Sequence, residues 1–322
     1  FGGSSYLVRA VNDVSFTIEP GETLGIVGES GSGKSTVGRA LLRLVRTTAG
    51  TICVRGRDIS EFSGRMLDFR RDLQVIFQDP YSSLNPSMVV ENIVGEPLTL
   101  HHQLRGEARK RRVRELLDQV GLSADHAERY PSEFSGGQRQ RIAIARALSL
   151  EPALIVCDEP VSALDVSTQS QVINLLEELQ ERMGISYLFI AHDLAVVRHI
   201  STRIGVMYLG RLVELGPANR VYDSPAHPYT EMLLAAVPVA DPVLQRERKA
   251  KRRLIPATEL PGPTNLPTGC AFHPRCRWAL DICREVTPAP SPVDAGGWVA
   301  CHLQDNGPAL AGQTLPSGNE PA

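Results

Sequence analysis

The sequence predicts an α/β fold with a mostly parallel sheet. Three short apolar runs, at residues 23–28 (TLGIVG), 154–157 (LIVC) and 187–191 (YLFIA), have the length of strands buried on both faces, and a helical pattern follows each. Strands that alternate with helices are typical of parallel sheets joined by right-handed crossovers. The chain has 322 residues, about twice the length of an average domain, so we expect more than one unit.

Composition narrows the possible functions. The chain is 42% hydrophobic and carries 34 Lys and Arg against 36 Asp and Glu, so no global positive field attracts nucleic acid. The basic run at 108–115 (ARKRRVRE) is interleaved with acidic residues and predicts a solvated helix face. Without a signal peptide or an apolar stretch of about 20 residues, the chain is expected to be soluble and cytosolic. Because it starts at Phe1, we also expect a longer or fused polypeptide.

A glycine-rich loop follows the first predicted strand. Residues 28–36 read GESGSGKST and precede a helical pattern, which is the context that a phosphate-binding loop (P-loop) requires. Its glycines let backbone N–H groups converge on phosphate oxygens at the positive end of the helix. We expect Lys34 to reach the β- and γ-phosphates and Ser35 to ligate Mg²⁺. The predicted nucleotide-binding residues of this loop are Gly28, Ser30, Gly31, Gly33, Lys34, Ser35 and Thr36.

Two carboxylates end a second buried strand. LIVCDE at 154–159 places Asp158 and Glu159 at the carboxyl edge of the sheet, where ligands bind in open α/β folds. Asp158 is then positioned to hold Mg²⁺ through water. Glu159 is positioned to accept the proton of an attacking water as a general base.

A second anion-binding helix start lies between these elements. Ser135, Gly136 and Gly137 open an apolar-periodic helix within EFSGGQRQRIAIARAL, residues 133–148. One chain needs only one P-loop for each nucleotide. The second site therefore suggests a nucleotide that is shared between two chains or two halves.

SGGQ followed by a basic helix resembles the signature motif of ABC-type ATPases. Further motifs follow the same family: Gln78 in VIFQDP, SALD at 162–165, and His192 in IAHD. The resemblance covers residues 6 to about 240. It departs from the family at Phe134, where Leu is usual, and this apolar exchange is not expected to abolish function.

The resemblance implies a P-loop NTPase (RecA-like) core with a helical subdomain, working as a head-to-tail dimer with two ATPs at the interface. By resemblance, Gln78 senses Mg²⁺, the attacking water and the membrane partner, and His192 contacts the γ-phosphate. Asp165 bridges the two halves, and Tyr6 stacks on adenine. The residues implied to contact the partner's ATP are Ser135, Gly136, Gly137 and Gln138.

The C-terminal part resembles a narrower group. AHPYTEMLLAAVP at 226–238 and LPGPTNLPTGCAFHPRC at 260–276 resemble the extension of ATP-binding subunits from oligopeptide and dipeptide importers, a group that includes nickel importers. This implies an ATPase at the cytoplasmic face of the membrane, with two separate permease subunits that dock near residues 78–100. It also implies a second ATPase half (identical, paralogous or fused) and, indirectly, an extracytoplasmic peptide-binding protein.

Three alternatives to a peptide importer stay open at this point. The first is a soluble ABC ATPase without a role in transport. The second is an importer ATPase for nickel or another small solute. The third is a degenerate half that binds ATP without turnover, against which Glu159 and the intact SGGQ speak.

Four cysteines, Cys270, Cys276, Cys283 and Cys301, fall within 32 residues and form a soft donor set. Zinc sites typically include a pair two to four residues apart, which is missing here, whereas iron–sulfur clusters tolerate varied spacing. The resemblance favours a [4Fe-4S] cluster, with zinc as the alternative and free thiols or disulfides as the remainder. His273 and His302 are alternate ligands. Cys53 and Cys157 lie in strand patterns and are expected in the core.

These observations predict a domain order. We expect an ATP-binding core at 1–82 and 150–225, a helical signature subdomain at 83–149, an extension and linker at 226–260, a Cys-rich module at 261–304, and a disordered tail at 305–322. Because the Cys-rich module is poor in periodic apolar residues, we expect a metal cluster to hold it together, apart from the ATP site.

Overall fold

The computed structural model describes residues 8–60, 66–237 and 266–305. The chain forms two compact units. The P-loop unit consists of Phe1–Thr17, Leu24–Val37 and Ala191–Ala322. The signature unit consists of Ile18–Thr23 and Gly38–Ile190. The predicted tail, most of the predicted linker and Tyr6 lie outside the described residues.

The strands and helices follow the predicted alternation along much of the chain. The strands are β1 (Thr23–Val27), β2 (Cys53–Val54), β3 (Arg57–Asp58), β4 (Leu73–Ile76), β5 (Leu154–Asp158), β6 (Ser186–Ile190), β7 (Arg203–Tyr208), β8 (Arg211–Pro217), β9 (Ser291–Pro292) and β10 (Trp298–Val299). The helices are α1 (Lys34–Leu41), α2 (Met66–Asp72), α3 (Pro80–Ser83), α4 (Val90–His102), α5 (Gly106–Gln119), α6 (Gly136–Leu148), α7 (Val166–Met183), α8 (Leu194–Ile200), α9 (Ala218–Asp223), α10 (Pro228–Ala236), α11 (Ile282–Glu285) and α12 (His302–Asp305).

In the signature unit, β4, β5 and β6 form a parallel array in that order. Every residue of β6 is buried, and β5 is buried from Ile155 to Asp158. Burial on both faces explains why these strands are continuously apolar in sequence. The strand predictions at 154–157 and 187–191 are confirmed within one residue.

The signature unit also contains three helices that pack on one another, α4, α5 and α6. Each buries apolar side chains three or four positions apart: Val90, Ile93, Val94 and Leu98 on α4, and Val113, Leu116 and Leu117 on α5. Short 3₁₀ turns at Ala124–Glu128 and Pro131–Glu133 connect α5 to α6. The predicted helical character of 83–149 therefore holds across these elements.

In the P-loop unit, β1 pairs in parallel with β7, in register from Leu24 with Arg203 to Val27 with Val206. Beyond β7 the sheet turns antiparallel through β8, β10 and β9. The Cys-rich segment thus adds two short strands to the edge of this sheet. Neither strand can be predicted from the sequence, because two-residue strands leave no periodic signal.

The two cysteines predicted in the core differ in burial. Cys157 on β5 is completely buried, as predicted, and burial raises the pKa of its thiol. Cys53 lies in a strand but is exposed, so its predicted core position is wrong. The reason is that β2 pairs only with β3 among the described strands, and the hairpin they form is largely exposed.

Candidate active site

The P-loop connects β1 to α1 with a backbone that requires glycine. Gly28, Gly31 and Gly33 have φ values of 155°, 80° and 103°, and a Cβ at Gly33 would lie 2.1 Å from the carbonyl oxygen of Ala10. A side chain at Gly28 would similarly approach the Met207 carbonyl to 2.1 Å. The loop therefore packs its backbone against two other segments of the P-loop unit, and this leaves Ser30 and Gly31 exposed at its tip.

Lys34 is the buried cation of this loop. Only 4% of the residue is exposed, and its Nζ donates hydrogen bonds to the carbonyl oxygens of Gly28 at 2.7 Å and Glu29 at 2.9 Å. A buried ammonium must be compensated by acceptors, and these carbonyls supply them. The loop therefore curls around the charge that the sequence analysis assigned to phosphate binding. Ser35 and Thr36 follow in the first turn of α1.

The C-terminal segment, which consists of α10 and residues 266–305, contacts the P-loop directly, and the sequence does not predict this contact. Both carboxylate oxygens of Glu29 accept hydrogen bonds from Arg275, at 2.7 and 2.9 Å, and the backbone N–H of Glu29 donates to the Tyr229 hydroxyl at 2.8 Å. The expectation that the Cys-rich module stands apart from the ATP site is therefore wrong. The signal in the sequence is weak, because the two ion-paired residues are 246 positions apart.

A buried carboxylate fixes the start of α10, which carries Tyr229. Glu214 is fully buried and accepts hydrogen bonds from the backbone N–H groups of Ala226 and His227 and from the Thr230 hydroxyl. It also pairs with Arg220. Burial raises the pKa of Glu214 despite these partners. The motif AHPYT thus folds around one acidic side chain of β8.

In the signature unit, the two carboxylates after β5 differ in environment. Asp158 is buried at the strand end, whereas Glu159 is half-buried and has a left-handed backbone (φ 50°) that is uncommon outside glycine. The Gln78 side chain donates a hydrogen bond to the Glu159 carboxylate at 3.0 Å. Two residues that were 81 positions apart in sequence are thereby brought together. Backbone strain of this kind concentrates at functional sites.

The signature loop caps α6. Ser135 is the N-cap residue, its hydroxyl accepts from the backbone N–H of Gln138, and the Gln138 side chain accepts from the backbone N–H of Ser135 in return. Ser135 is exposed. A Cβ at Gly137 would lie 2.2 Å from Cγ2 of Thr168, so only glycine fits against α7 here. Phe134, the departure from the family pattern, is buried and meets His126 edge to face.

Asp165 and His192 begin separate helices. Asp165 caps α7, and hydrogen bonds from the Ser167 hydroxyl and from Thr168 hold the pKa of its carboxyl well below the usual range. Because Thr168 also lies against Gly137, the SALD and SGGQ motifs are adjacent within the signature unit. His192 is exposed two residues before α8 in the P-loop unit.

The residues assigned to Mg²⁺ fit that ion by their chemistry. Ser35, Gln78 and Asp158 offer hydroxyl, amide and carboxylate oxygens, which are the hard donors that Mg²⁺ prefers. Asp158 ends a buried strand, so its carboxylate is presented from a fixed backbone.

The predicted [4Fe-4S] cluster, or zinc in its place, is not supported as a metal site by the structure, although Cys301 lies close enough to Cys270, Cys276 and Cys283 for these thiols to add to the effect of burial on its pKa. Within residues 8–60, 66–237 and 266–305, no three His, Cys, Asp or Glu side chains are placed to hold a metal ion. Burial raises the pKa of Cys276 to about 12 and shifts Cys270 and Cys301 in the same direction. The premise of that prediction also fails, because the segment is ordered by pairing β10 with β8 and by burying Phe272.

The predicted permease surface at 78–100 joins the signature helix through two arginines of α6. The Arg139 guanidinium lies 3.9 Å from the ring centroid of Tyr81, and Arg146 donates to the Ser83 carbonyl at 2.7 Å. Tyr81 and Leu100 are large apolar side chains that are about 60% exposed. The segment after Gln78 is therefore mechanically tied to α6 while presenting apolar surface.

The basic run on α5 is largely ion-paired. Arg109 pairs with Glu91 and donates hydrogen bonds to the Asn92 side chain and the Gly95 carbonyl of α4. Arg112 pairs with Glu115 and Glu151. These basic side chains are therefore neutralised by acidic side chains of the same chain.

None of the helices that the structure describes is both long and apolar enough to span a bilayer.

Comparison with known families gives two matches on this chain. The family described as "ABC transporter" matches residues 11–162, and "Oligopeptide/dipeptide transporter, C-terminal region" matches residues 213–283. The second match begins in β8 and ends in α11. It therefore includes Tyr229 and Arg275, the residues that contact the P-loop.

Individual relatives agree with these matches. The chain is 53% identical to the oligopeptide transport ATP-binding protein AppF of Bacillus subtilis (strain 168), over 92% of this chain and 90% of that protein. It is 51% identical to the probable peptide ABC transporter ATP-binding protein y4tS of Sinorhizobium fredii, over 97% and 86%. A dimeric post-hydrolysis structure of the ATP-binding cassette MJ0796 bound to ADP and Pi superimposes with TM-score 0.59 and 32% identity, covering 65% of this chain and 90% of that one.

Proposed function

Since this chain belongs to the ABC transporter family, we propose that it is the ATP-hydrolysing subunit of an importer for oligopeptides or dipeptides. One observation carries the proposal. An ABC transporter match and an oligopeptide/dipeptide transporter match lie on the same chain, and relatives described as peptide import ATP-binding proteins are about half identical to it over nearly its whole length. This favours peptides over nickel or another small solute.

In the proposal, the P-loop binds the phosphates of ATP and Lys34 contacts the β- and γ-phosphates. The contacts of Lys34 with Gly28 and Glu29 support this role, because they hold its ammonium inside the loop. Ser35, Gln78 and Asp158 would hold Mg²⁺, which neutralises phosphate charge when bound. His192 would contact the γ-phosphate, and Tyr6 would stack on adenine.

Glu159 is the proposed general base. Its carboxylate accepts the proton of the attacking water, and the hydrogen bond from Gln78 orients it while leaving acceptor capacity on the same group. Gln78 is followed at once by the segment that we propose for permease docking. A movement of that segment would therefore change the orientation of the base, which is a physical route from transport to hydrolysis.

The signature residues are proposed to act on a nucleotide held by a second ATPase half. The exposure of Ser135 and the self-contained capping of α6 support a role toward a partner. Asp165, beside Gly137 through Thr168, would then bridge the halves. The second half is identical, paralogous or fused, and the assembly includes two permease subunits at the cytoplasmic face of the membrane, with a peptide-binding protein acting outside.

The four cysteines add a separate question to the proposal. Their donor chemistry and their proximity to one another suit an iron–sulfur cluster, whereas no three of the described side chains are placed to hold a metal ion. Iron and sulfide analysis after anaerobic purification decides between these two observations. About four irons and four sulfides per chain would establish the cluster, one zinc would establish the alternative, and four reactive thiols without metal would exclude both.

The proposal is tested on the complex purified from its native membrane. We expect the chain to purify with two permeases, and we expect Glu159→Gln to lower ATP hydrolysis and peptide uptake by roughly 10²- to 10⁴-fold while ATP binding remains. Glu178→Gln is the matched control, because Glu178 lies on the exposed face of α7, where it pairs with Arg182.

Three outcomes would contradict parts of this proposal. Purification without membrane partners would favour a soluble ABC ATPase without a transport role. Uptake of nickel in place of peptides would overturn the substrate. Hydrolysis by Glu159→Gln at the rate of the Glu178→Gln control would remove Glu159 as the general base.

A further inference from the structure

The P-loop of this protein contains a carboxylate that is neutralised by the C-terminal segment. Glu29 is the second residue of the loop, directly after Gly28, and a free carboxylate at this place would repel the phosphates of a nucleotide. Arg275 binds both of its oxygens, at 2.7 and 2.9 Å, in the bidentate geometry that makes guanidinium–carboxylate pairs strong. The Arg275 side chain is only 11% exposed and that of Glu29 28%, so solvent screens the pair weakly.

The same loop residue is held by its backbone. The N–H of Glu29 donates to Tyr229 at 2.8 Å, and its carbonyl accepts from the Lys34 ammonium at 2.9 Å. One residue therefore connects two elements of the C-terminal segment to the cation of the P-loop. A shift of Glu29 moves an acceptor of Lys34 directly.

Arg275 reaches Glu29 only when the C-terminal segment is folded. It ends the 3₁₀ turn His273–Arg275, whose preceding residue Phe272 is 2% exposed and packs on Tyr208 and Tyr229 with ring centroids 5.3 and 5.4 Å away. The two tyrosines are themselves 4.6 Å apart. This aromatic cluster, Tyr208, Tyr229 and Phe272, fixes the turn that presents the guanidinium.

We propose that Arg275 is a positioning residue for the nucleotide site: it neutralises Glu29 and holds the P-loop in its phosphate-binding form, so that folding of the C-terminal segment raises the affinity for ATP. This rests on the proposed function and adds a form of regulation to the same site. Any partner that moves the segment from the P-loop would weaken nucleotide binding. The C-terminal region of this chain is then part of the ATPase and not an appendage.

The test measures MgATP affinity on the purified chain, and KM and kcat on the assembled transporter. We expect Arg275→Ala to weaken ATP binding and raise KM by roughly tenfold or more, because a charged partner is removed and a carboxylate is left unpaired beside the phosphates. The kcat should change much less, since Glu159 and Gln78 are untouched. Arg277→Ala is the matched control: Arg277 lies in the same turn region but pairs with Glu231 and stacks on Trp278.

Rescue separates neutralisation from a structural effect. In the double variant Glu29→Gln/Arg275→Ala the uncompensated charge is gone, so we expect affinity to return to within about threefold of the wild type. Arg275→Lys keeps the charge but not the bidentate geometry and should lie between Arg275→Ala and the wild type. If Arg275→Ala failed to fold, as judged by its Trp fluorescence, the Lys and double variants would still decide the question.

Two results would overturn the proposal. One is wild-type affinity in Arg275→Ala, and the other is a loss of affinity that the double variant shares in full. Lys34→Ala provides the separate control for the proposed function. If wild-type protein and Lys34→Ala bound ATP equally poorly, the nucleotide site itself would be wrong, whereas tight wild-type binding that is lost in Lys34→Ala but retained in Arg275→Ala would refute the positioning role alone.

Discussion

The P-loop and the signature loop both begin a helix with glycines and hydroxyl residues, but they are built differently. The P-loop surrounds a buried lysine, and its backbone packs against residues from distant parts of the chain. The signature loop has an exposed serine and is capped by its own Gln138. A loop that encloses its own cation can bind phosphate without a second subunit. A loop that is satisfied locally and faces outward is suited to a ligand held by another subunit.

The first way to break this comparison is to remove the P-loop cation. We expect Lys34→Ala to weaken ATP binding by roughly 10²-fold or more, because charge-assisted contacts to the phosphates are lost. Equilibrium binding of ATP to the purified chain measures the effect. Lys110→Ala is the control, since Lys110 is a half-buried lysine of α5 that pairs with Glu107. Similar binding by both variants would show that the P-loop does not need its lysine.

The second prediction tests the packing behind the signature loop. A methyl group at Gly137 would meet Thr168 at 2.2 Å, so Gly137→Ala should lower the free energy of unfolding by about 1–3 kcal/mol. Gly136→Ala is the neighbouring control, because its Cβ would lie 3.4 Å from Leu164 in ordinary contact. Urea unfolding followed by circular dichroism compares the two variants. Equal stability would mean that α6 and α7 do not pack closely at this glycine.

The third prediction concerns α10, the helix whose Tyr229 contacts the P-loop. His227 caps α10, is 1% exposed, and accepts from the backbone N–H of Tyr229. Burial lowers the pKa of His227 to about 3, whereas an unfolded histidine titrates near 6.5. The unfolded state therefore binds a proton that the folded state excludes, and stability falls as the pH drops below about 6.5. The expected slope is about 1.4 kcal/mol per pH unit until the folded pKa is reached.

The pH dependence of the free energy of unfolding can be measured at the C-terminal segment itself, because both tryptophans of the chain, Trp278 and Trp298, lie in it. Urea unfolding is followed by their fluorescence at pH 7, 6, 5 and 4. His227→Asn keeps a side-chain acceptor at the cap but cannot titrate, so its curve isolates the histidine from Glu214. Parallel curves for the wild type and His227→Asn would contradict the assignment.

The comparison also explains what the sequence could predict. The P-loop, the carboxylates after β5 and the helices of 83–149 leave signals within a few residues, as glycine spacing, apolar runs or helical periodicity. The contacts of Arg275 and Tyr229 with Glu29 leave none, because they join segments 200 or more residues apart through single side chains. The expectation that the Cys-rich module needs a metal to be ordered overlooked contacts of the same kind. It considered the apolar residues of the module alone and not the aromatic cluster and sheet edge on which they pack.

The most direct test of the central claim, that the two loops serve different nucleotides, is Ser135→Ala measured first on the monomer and then in the assembled transporter. We expect the Ser135→Ala monomer to bind ATP as the wild type does, and the assembled complex to hydrolyse it more slowly. Ser123→Ala corrects for the loss of a helix cap, because Ser123 is likewise an exposed N-cap serine. If Ser135→Ala removed ATP binding from the monomer as completely as Lys34→Ala does, both loops would hold the same nucleotide and the account would be wrong.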